Sequence, residues 1–384
     1  MKFEKYKIAD LISEISMGPF GSNIKVECFV NEGIPVLNGS NLDGLVLKED
    51  SFRYVTKEKA DSLGKANAHR GDVVITHRGT LGQIVFIPRN SLYERYVISQ
   101  SQFRVKCNDK ILPEYLVYYF HTRIGLHKLL SNASQVGVPA LARASTTFQT
   151  IEIDVPDMDI QRKIVDILET IRLKIETNNK INDNLLQQSS ALYQAWFEDY
   201  ILYDGSLPSK WRQGTLADIA NVTSGKRPPV KSAEKTDTAV IPLVGAASVM
   251  GYTTEANHTD KILVTGRVGT HGVIQRFNSP CWTSDNTLVI TSDFYEYTYQ
   301  ILQRIDYNSM NRGSTQPLIT QGDMNKVSIL IPDQKTLHDF ETLVGQLMEQ
   351  YQANILENNK LAEIRDALLP QLMSGELDVS GIDI

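Results

Sequence analysis

The chain has 384 residues, 42% of them hydrophobic and 22% charged, with a net charge of −6. That fits an ordinary soluble protein with material for two cores of normal domain size, and the acidic balance argues against a chain wrapped wholly around nucleic acid, while leaving room for a local basic surface. The opening Met1-Lys-Phe-Glu-Lys-Tyr-Lys7 has no leader-like apolar run, no window approaches a membrane span, and Cys28, Cys107 and Cys281 form neither a disulfide framework nor a zinc spacing, so a cytoplasmic location is expected.

In chain order, residues 1–156 read as a mixed α+β domain. Strand-like runs are Ile34-Pro-Val-Leu37, Asp72-Val-Val-Ile-Thr76, Gln83-Ile-Val-Phe-Ile-Pro88 and Gln102-Phe-Arg-Val-Lys106, bounded by Gly, Pro and Asn turn signals. Pro113-Glu-Tyr-Leu-Val-Tyr-Tyr-Phe120, continuing to Leu130, carries helical spacing. Residues 157–202 predict a long helix: Ile160, Ile164, Ile167, Ile171, Ile181, Leu185 and Leu192 recur at threes, fours and sevens. Residues 203–332 open on a turn-rich linker, Tyr203-Asp-Gly-Ser-Leu-Pro-Ser209, and return to β-rich composition. Residues 333–373 predict a second long helix, with Leu337, Phe340, Val344, Leu347, Tyr351, Leu361 and Leu368, and residues 374–384 form a tail.

The chain is thus written twice. Ile160 aligns with Phe340, Ile164 with Val344, Ile167 with Leu347, Ile171 with Tyr351, Asn178 with Asn358 and Ile181 with Leu361, without a gap. A helix over residues 159–197 would be roughly 58 Å long at about 1.5 Å per residue, too long to serve only as a core element of such a domain. An asparagine in an apolar seam fixes the register of a helix pair, so Asn178 and Asn358 are expected to meet in an antiparallel pair. The alternative is that each helix packs only on its own domain and the asparagine faces water.

Three features recur in both halves. A turn between strands reads His77-Arg78-Gly79-Thr80 in the first and Arg267-Val268-Gly269-Thr270 in the second; Arg78 is matched with Arg267, and either arginine could contact DNA or lie over its own sheet. A polar loop precedes each helix, with Gln135 and Arg143 in the first copy and Arg312, Ser314, Thr315 and Gln316 in the second. A small-residue loop near each domain's start carries Ser22, Asn23 and Lys25, or Lys226 and Arg227. These side chains, with Thr80 and Thr270, are the candidate DNA contacts. Catalytic motifs are missing: there is no phosphate-binding lysine loop, nucleophile elbow, dinucleotide fingerprint or metal-ligand spacing, which speaks against catalysis by this chain.

The ordered set (β-rich domain, long helix, β-rich domain, long helix), the Gly18-Pro-Phe-Gly21-Ser-Asn-Ile-Lys25 and Thr223-Ser-Gly225-Lys loops, the strand-Pro156-helix exit and the closing Leu368-Leu-Pro370-Gln-Leu-Met373-Ser374-Gly375 resemble the specificity subunit of type I restriction-modification systems, the HsdS family. The resemblance covers essentially the whole chain, although the first half lacks a counterpart to Trp211. It implies an α+β fold: two α/β target-recognition domains separated by two long antiparallel helices forming a coiled-coil-like spacer, with a pseudo-two-fold internal repeat. It also implies that each domain reads half of a bipartite site in double-stranded DNA. Two modification subunits, holding S-adenosylmethionine, would dock on the helices, and restriction subunits would join; no cofactor is expected on this chain. A protein–protein adaptor and a self-contained restriction or modification enzyme are the rival readings.

Overall fold

The computed structural model describes residues 1–134, 137–310 and 318–382, without the side chain of Ser22. It divides into two compact units, residues 1–176 with 357–384, and residues 177–356, so the division falls inside both long helices. The sequence candidates Gln135, Arg312, Ser314, Thr315 and Gln316 lie outside the described residues.

In the first unit a four-stranded antiparallel sheet runs in the order Ile12–Met17, Gln102–Cys107, Val73–Thr76, Ile84–Phe86. Val73, Val74 and Ile75 are all buried, an unbroken apolar run rather than an alternating one. The reason is that the sheet is covered on both faces: Val73 and Ile75 enter one core with Phe103, Phe120 and Phe148, while Val74 enters another with Tyr96 and Ile98. A second, five-stranded sheet pairs Phe29–Val30, Arg53–Val55, Ile34–Val36, Arg95–Val97 and Asn67–His69. The segment expected to be one helix from Pro113 to Leu130 is two, Pro113–His121 and Arg123–Leu130. Thr122, extended at ψ 156, ends the first, and its hydroxyl accepts the Gly125 N–H at 3.0 Å to begin the second.

The second unit repeats this plan. Its four-stranded sheet runs Asn221–Ser224, Thr287–Thr291, Ile262–Gly266, Gln275–Phe277, the same order by position in the chain. A smaller sheet joins Val249–Thr253, Ile241–Val244 and Trp282–Thr283. In each unit the strand leading into a long helix is pinned antiparallel to the domain's first strand, Glu152–Pro156 on Phe3–Lys7 and Ser328–Ile331 on Arg212–Thr215.

The helices span Met158–Tyr193, closed by a π turn at Gln194–Glu198, and Gln334–Ser374. Within each unit their segments run antiparallel. In the first, Lys174 pairs with Glu357 at 3.1 Å and Lys163 bonds the Ser380 carbonyl. In the second, Asn182 meets Asn354 while Tyr193 meets Phe340.

The inner face of the first helix differs from the expectation. Ile181 is exposed, and in the half of the helix from Thr177 onward the buried positions are Asn178, Asn182, Leu185, Ser189 and Tyr193. Steps of four and three keep this row on one stripe, and Ile181 falls one residue off it. The seam there is largely polar: Asn354 donates to Asn182 at 2.9 Å, and Gln300 donates to Ser189 at 2.8 Å.

Candidate nucleic-acid interface

Three loops picked out by sequence converge at one end of the four-stranded sheet, and they do so in both domains. In the first, the Gly18 N–H donates to the Gln102 carbonyl at 2.8 Å, seating the opening loop on the connection before strand Gln102–Cys107. A Cβ at Gly18 would collide with the Ser99 carbonyl, so glycine permits this approach. The His77 N–H donates to the Ser101 carbonyl, and the Leu141 N–H to the His77 carbonyl, both at 2.8 Å. Arg78 and Ala140 form a bridge, tying the turn to the polar loop.

The second domain repeats each tie. Gly225 donates to Thr287, Arg267 to Asn286 and Ile319 to Arg267, and Val268 bridges Leu318. A Cβ at Gly225 would likewise collide with the Ser284 carbonyl. Lys226 is fastened on both sides, its N–H donating to Thr283 at 2.9 Å and its carbonyl accepting the Trp282 indole N–H at 2.8 Å.

These matches correct the pairing of arginines. The hydrogen bonds make Arg267 the counterpart of His77 and Val268 that of Arg78; the glycines at φ 92 and 84, Gly79 and Gly269, and the threonines Thr80 and Thr270 then coincide. Both arginines lie in the turn beyond the strand ends at Thr76 and Gly266, and Arg267 sits one residue nearer the strand than Arg78 does.

Asn23, Lys25, Arg78, Thr80, Arg143, Lys226, Arg227 and Thr270 are exposed, and Arg267 is half-buried. Arg143 adopts φ 48 at the start of helix Ala144–Thr150, a left-handed conformation uncommon outside glycine. Lys25 pairs with Glu27 at 3.6 Å, both well exposed, a contact worth little. Among the described residues, none of Arg78, Arg143, Lys226, Arg227 or Arg267 has an ion-pair partner. Several arginines elsewhere are neutralised: Arg104 by Glu14 and Asp72, Arg172 by Glu169 and Glu176, Arg276 by Glu296. Cations left unpaired at one end of a sheet are available to phosphates. Burial lowers the His77 imidazole, and the nearby Arg78 charge acts in the same direction, so its ring is a neutral hydrogen-bonding group at pH 7.

Sequence reading missed two groups here. Gln321, placed three residues past the bridge as Arg143 is in the first copy, donates to Ser224 at 2.9 Å and joins the polar loop to the opening loop. Asn38, Ser99 and Gln100 border the opening loop of the first domain from distant parts of the sequence, so no local pattern reveals them. No group of three or more His, Cys, Asp or Glu side chains that could hold a metal ion occurs among the described residues. No helix among them is long and apolar enough to cross a membrane.

Comparison with known proteins finds a family matched once in each half of the chain. The family described as type I restriction modification DNA specificity domain matches residues 2–187 and again residues 208–366. The MjaIX type I restriction enzyme specificity subunit of Methanocaldococcus jannaschii is 26% identical over 365 residues, 85% of this chain and 82% of that protein. The HindI specificity subunit of Haemophilus influenzae is 21% identical over 403 residues, covering 80% and 87%. In fold, the S subunit of a type I restriction-modification system from M. genitalium superposes with a TM-score of 0.60 at 18% identity, covering 97% of this chain and 96% of the other. With the family matched in both halves, and with two target-recognition domains and a helical spacer in the fold, the chain belongs to the type I restriction-modification DNA specificity family and is a DNA sequence-recognition subunit.

Proposed function

We propose that residues 1–156 and 203–332 each read one half of a bipartite site in double-stranded DNA, and that the two long helices set the spacing and dock two modification subunits. The observation that carries this is the convergence, in each domain, of three separate loops with unpaired cations at the same end of the same sheet. Ser22, Asn23, Lys25, Arg78, Thr80, Gln135, Arg143, Lys226, Arg227, Arg267, Thr270, Arg312, Ser314, Thr315 and Gln316 are the proposed DNA contacts. Base edges in the major groove would be read by the amides, hydroxyls and arginines, and phosphates held by the remaining cations. Asn178 and Asn358 are proposed to fix helix register, which rests on the match between the two helix sequences. The modification subunits would supply S-adenosylmethionine and the methyl transfer, restriction subunits the cleavage, all in the cytoplasm, with this chain contributing no catalytic group.

The test is a methylome. The chain is expressed with its modification subunit in a methylation-free host and modified bases are mapped by single-molecule sequencing. The expected result is a new bipartite motif that disappears when this chain is omitted. An unmodified genome, with the modification subunit active beside another specificity chain, overturns the proposal.

A further inference from the structure

We infer that the first domain carries, beside its DNA-facing loops, a pocket that takes a nucleobase swung out of the duplex. The inference rests on the DNA-reading role proposed above. A cavity of about 490 Å³ opens between the Gly18 loop and the five-stranded sheet, with walls that include Phe20, Phe29, Asn38, Ser51, Arg53 and Gln100. A base still paired in a duplex presents only its edge in a groove, which protruding side chains read; a base that leaves the stack needs a concave site, and this one has the volume to take it.

The walls suit a base. Phe20 is 83% exposed, a large aromatic ring left in water on the loop seated at the DNA-facing end. Arg53 lies 5.2 Å over the Phe29 ring, giving a second planar surface. Hydrogen-bonding groups for a base edge come from two carboxamides. Asn38 holds the Ser40 N–H on its oxygen at 2.8 Å, and no described residue accepts from its nitrogen. The Gln100 carboxamide lies against Gly21, where a Cβ would collide with it. Ser51, also in the wall, has φ +54, a strained conformation for a residue with a side chain. Arg53 and Lys25 are exposed and able to hold the flanking phosphates. Counting from the equivalent glycines Gly18 and Gly225, the second domain has Arg227 in place of Phe20, so the device belongs to the first domain alone.

The experiment uses the chain assembled with its modification subunit, without S-adenosylmethionine, on duplexes carrying the mapped site. Each position of the first half-site is probed in turn, with 2-aminopurine at purines, pyrrolocytosine at cytosine and permanganate reactivity at thymine. The expected result is one position, other than the adenine to be methylated, whose signal rises several-fold on binding and returns to the unbound level in Phe20→Ala. The signal at the methylated adenine survives that substitution, and the Phe20→Ala methylome loses discrimination at that one position while the second half-site is unchanged. A rise confined to the methylated adenine, or one untouched by Phe20→Ala, overturns the pocket and leaves the DNA-reading role standing. Absence of any bipartite motif with the unaltered chain overturns that role itself. Phe20 is too exposed for its loss to endanger folding.

Discussion

Gln161 and Glu341 occupy equivalent positions in the ungapped alignment of the two long helices, and each caps the start of a short helix in its own domain. Gln161, fully buried, accepts the Leu112 N–H at 3.0 Å and donates to the Lys110 and Pro156 carbonyls. Glu341 accepts the N–H groups of Tyr297 and Glu296 at 2.8 and 3.0 Å. The first copy uses a neutral amide and the second an acid, and burial pushes that acid from its ordinary 4.5 up to about 7. The two N–H donors and Lys261 oppose the shift, while the Glu296 carboxylate adds to it. A carboxyl that holds its proton more tightly when folded contributes stability fully present below about pH 4.5 and lost as pH rises through 7. The loss is on the order of 1–3 kcal/mol. Melting midpoints of the natural chain and Glu341→Gln between pH 5 and 8 should therefore diverge, the natural chain falling relative to the variant as pH rises. Parallel curves would show that Glu341 titrates as an ordinary carboxyl.

Among the elements, the helix seam teaches most about what sequence can and cannot show. The long helices are legible because their apolar residues repeat over many turns, and the strands because buried runs such as Val73-Val74-Ile75 end at Gly and Pro. The seam between Asn178 and Tyr193 is legible only in part: Asn178 and Leu185 were expected there and are buried, whereas Asn182 and Ser189 are polar and Ile181 draws attention to the wrong stripe. What makes polar residues tolerable there is a partner from elsewhere in the chain: Gln350 donates to the Asn354 oxygen at 2.7 Å, and Asn354 donates in turn to Asn182. Asn354→Leu alone should cost about 1–3 kcal/mol, since it leaves the Asn182 amide buried without its donor. Asn182→Leu combined with Asn354→Leu should recover most of that loss or stabilise the chain, at the expense of a defined helix register. A double-mutant cycle on melting free energies checks this, and additive single effects would mean the two amides do not act as a pair. The candidate DNA contacts were legible by kind, as Gly-bounded polar loops with cations. Their grouping was not, since Gly18, Ser99, His77 and Leu141 meet only through hydrogen bonds between distant segments.

Over the whole molecule, the fold is two copies of one topology, each delivering its last strand into a long helix. The duplication was visible in the sequence because the helices align without a gap; the shared order of the four-stranded sheets was not, because the strands share little beyond apolar character. If the helices set the gap between half-sites, as proposed, inserting one heptad into each helix should change the spacer of the methylated motif and leave both half-site sequences intact. An unchanged spacer would remove the ruler from the mechanism. The offset of Arg267 from Arg78 has a consequence for the DNA itself. One frame, used twice, carries an arginine at one position of the turn in the first copy and one residue earlier in the second, with a phenylalanine in the opening loop of only one. If each domain reads its half-site through these loops, as proposed, the two half-sites are different words rather than inverse copies of one, and the chain settles on a duplex in one direction.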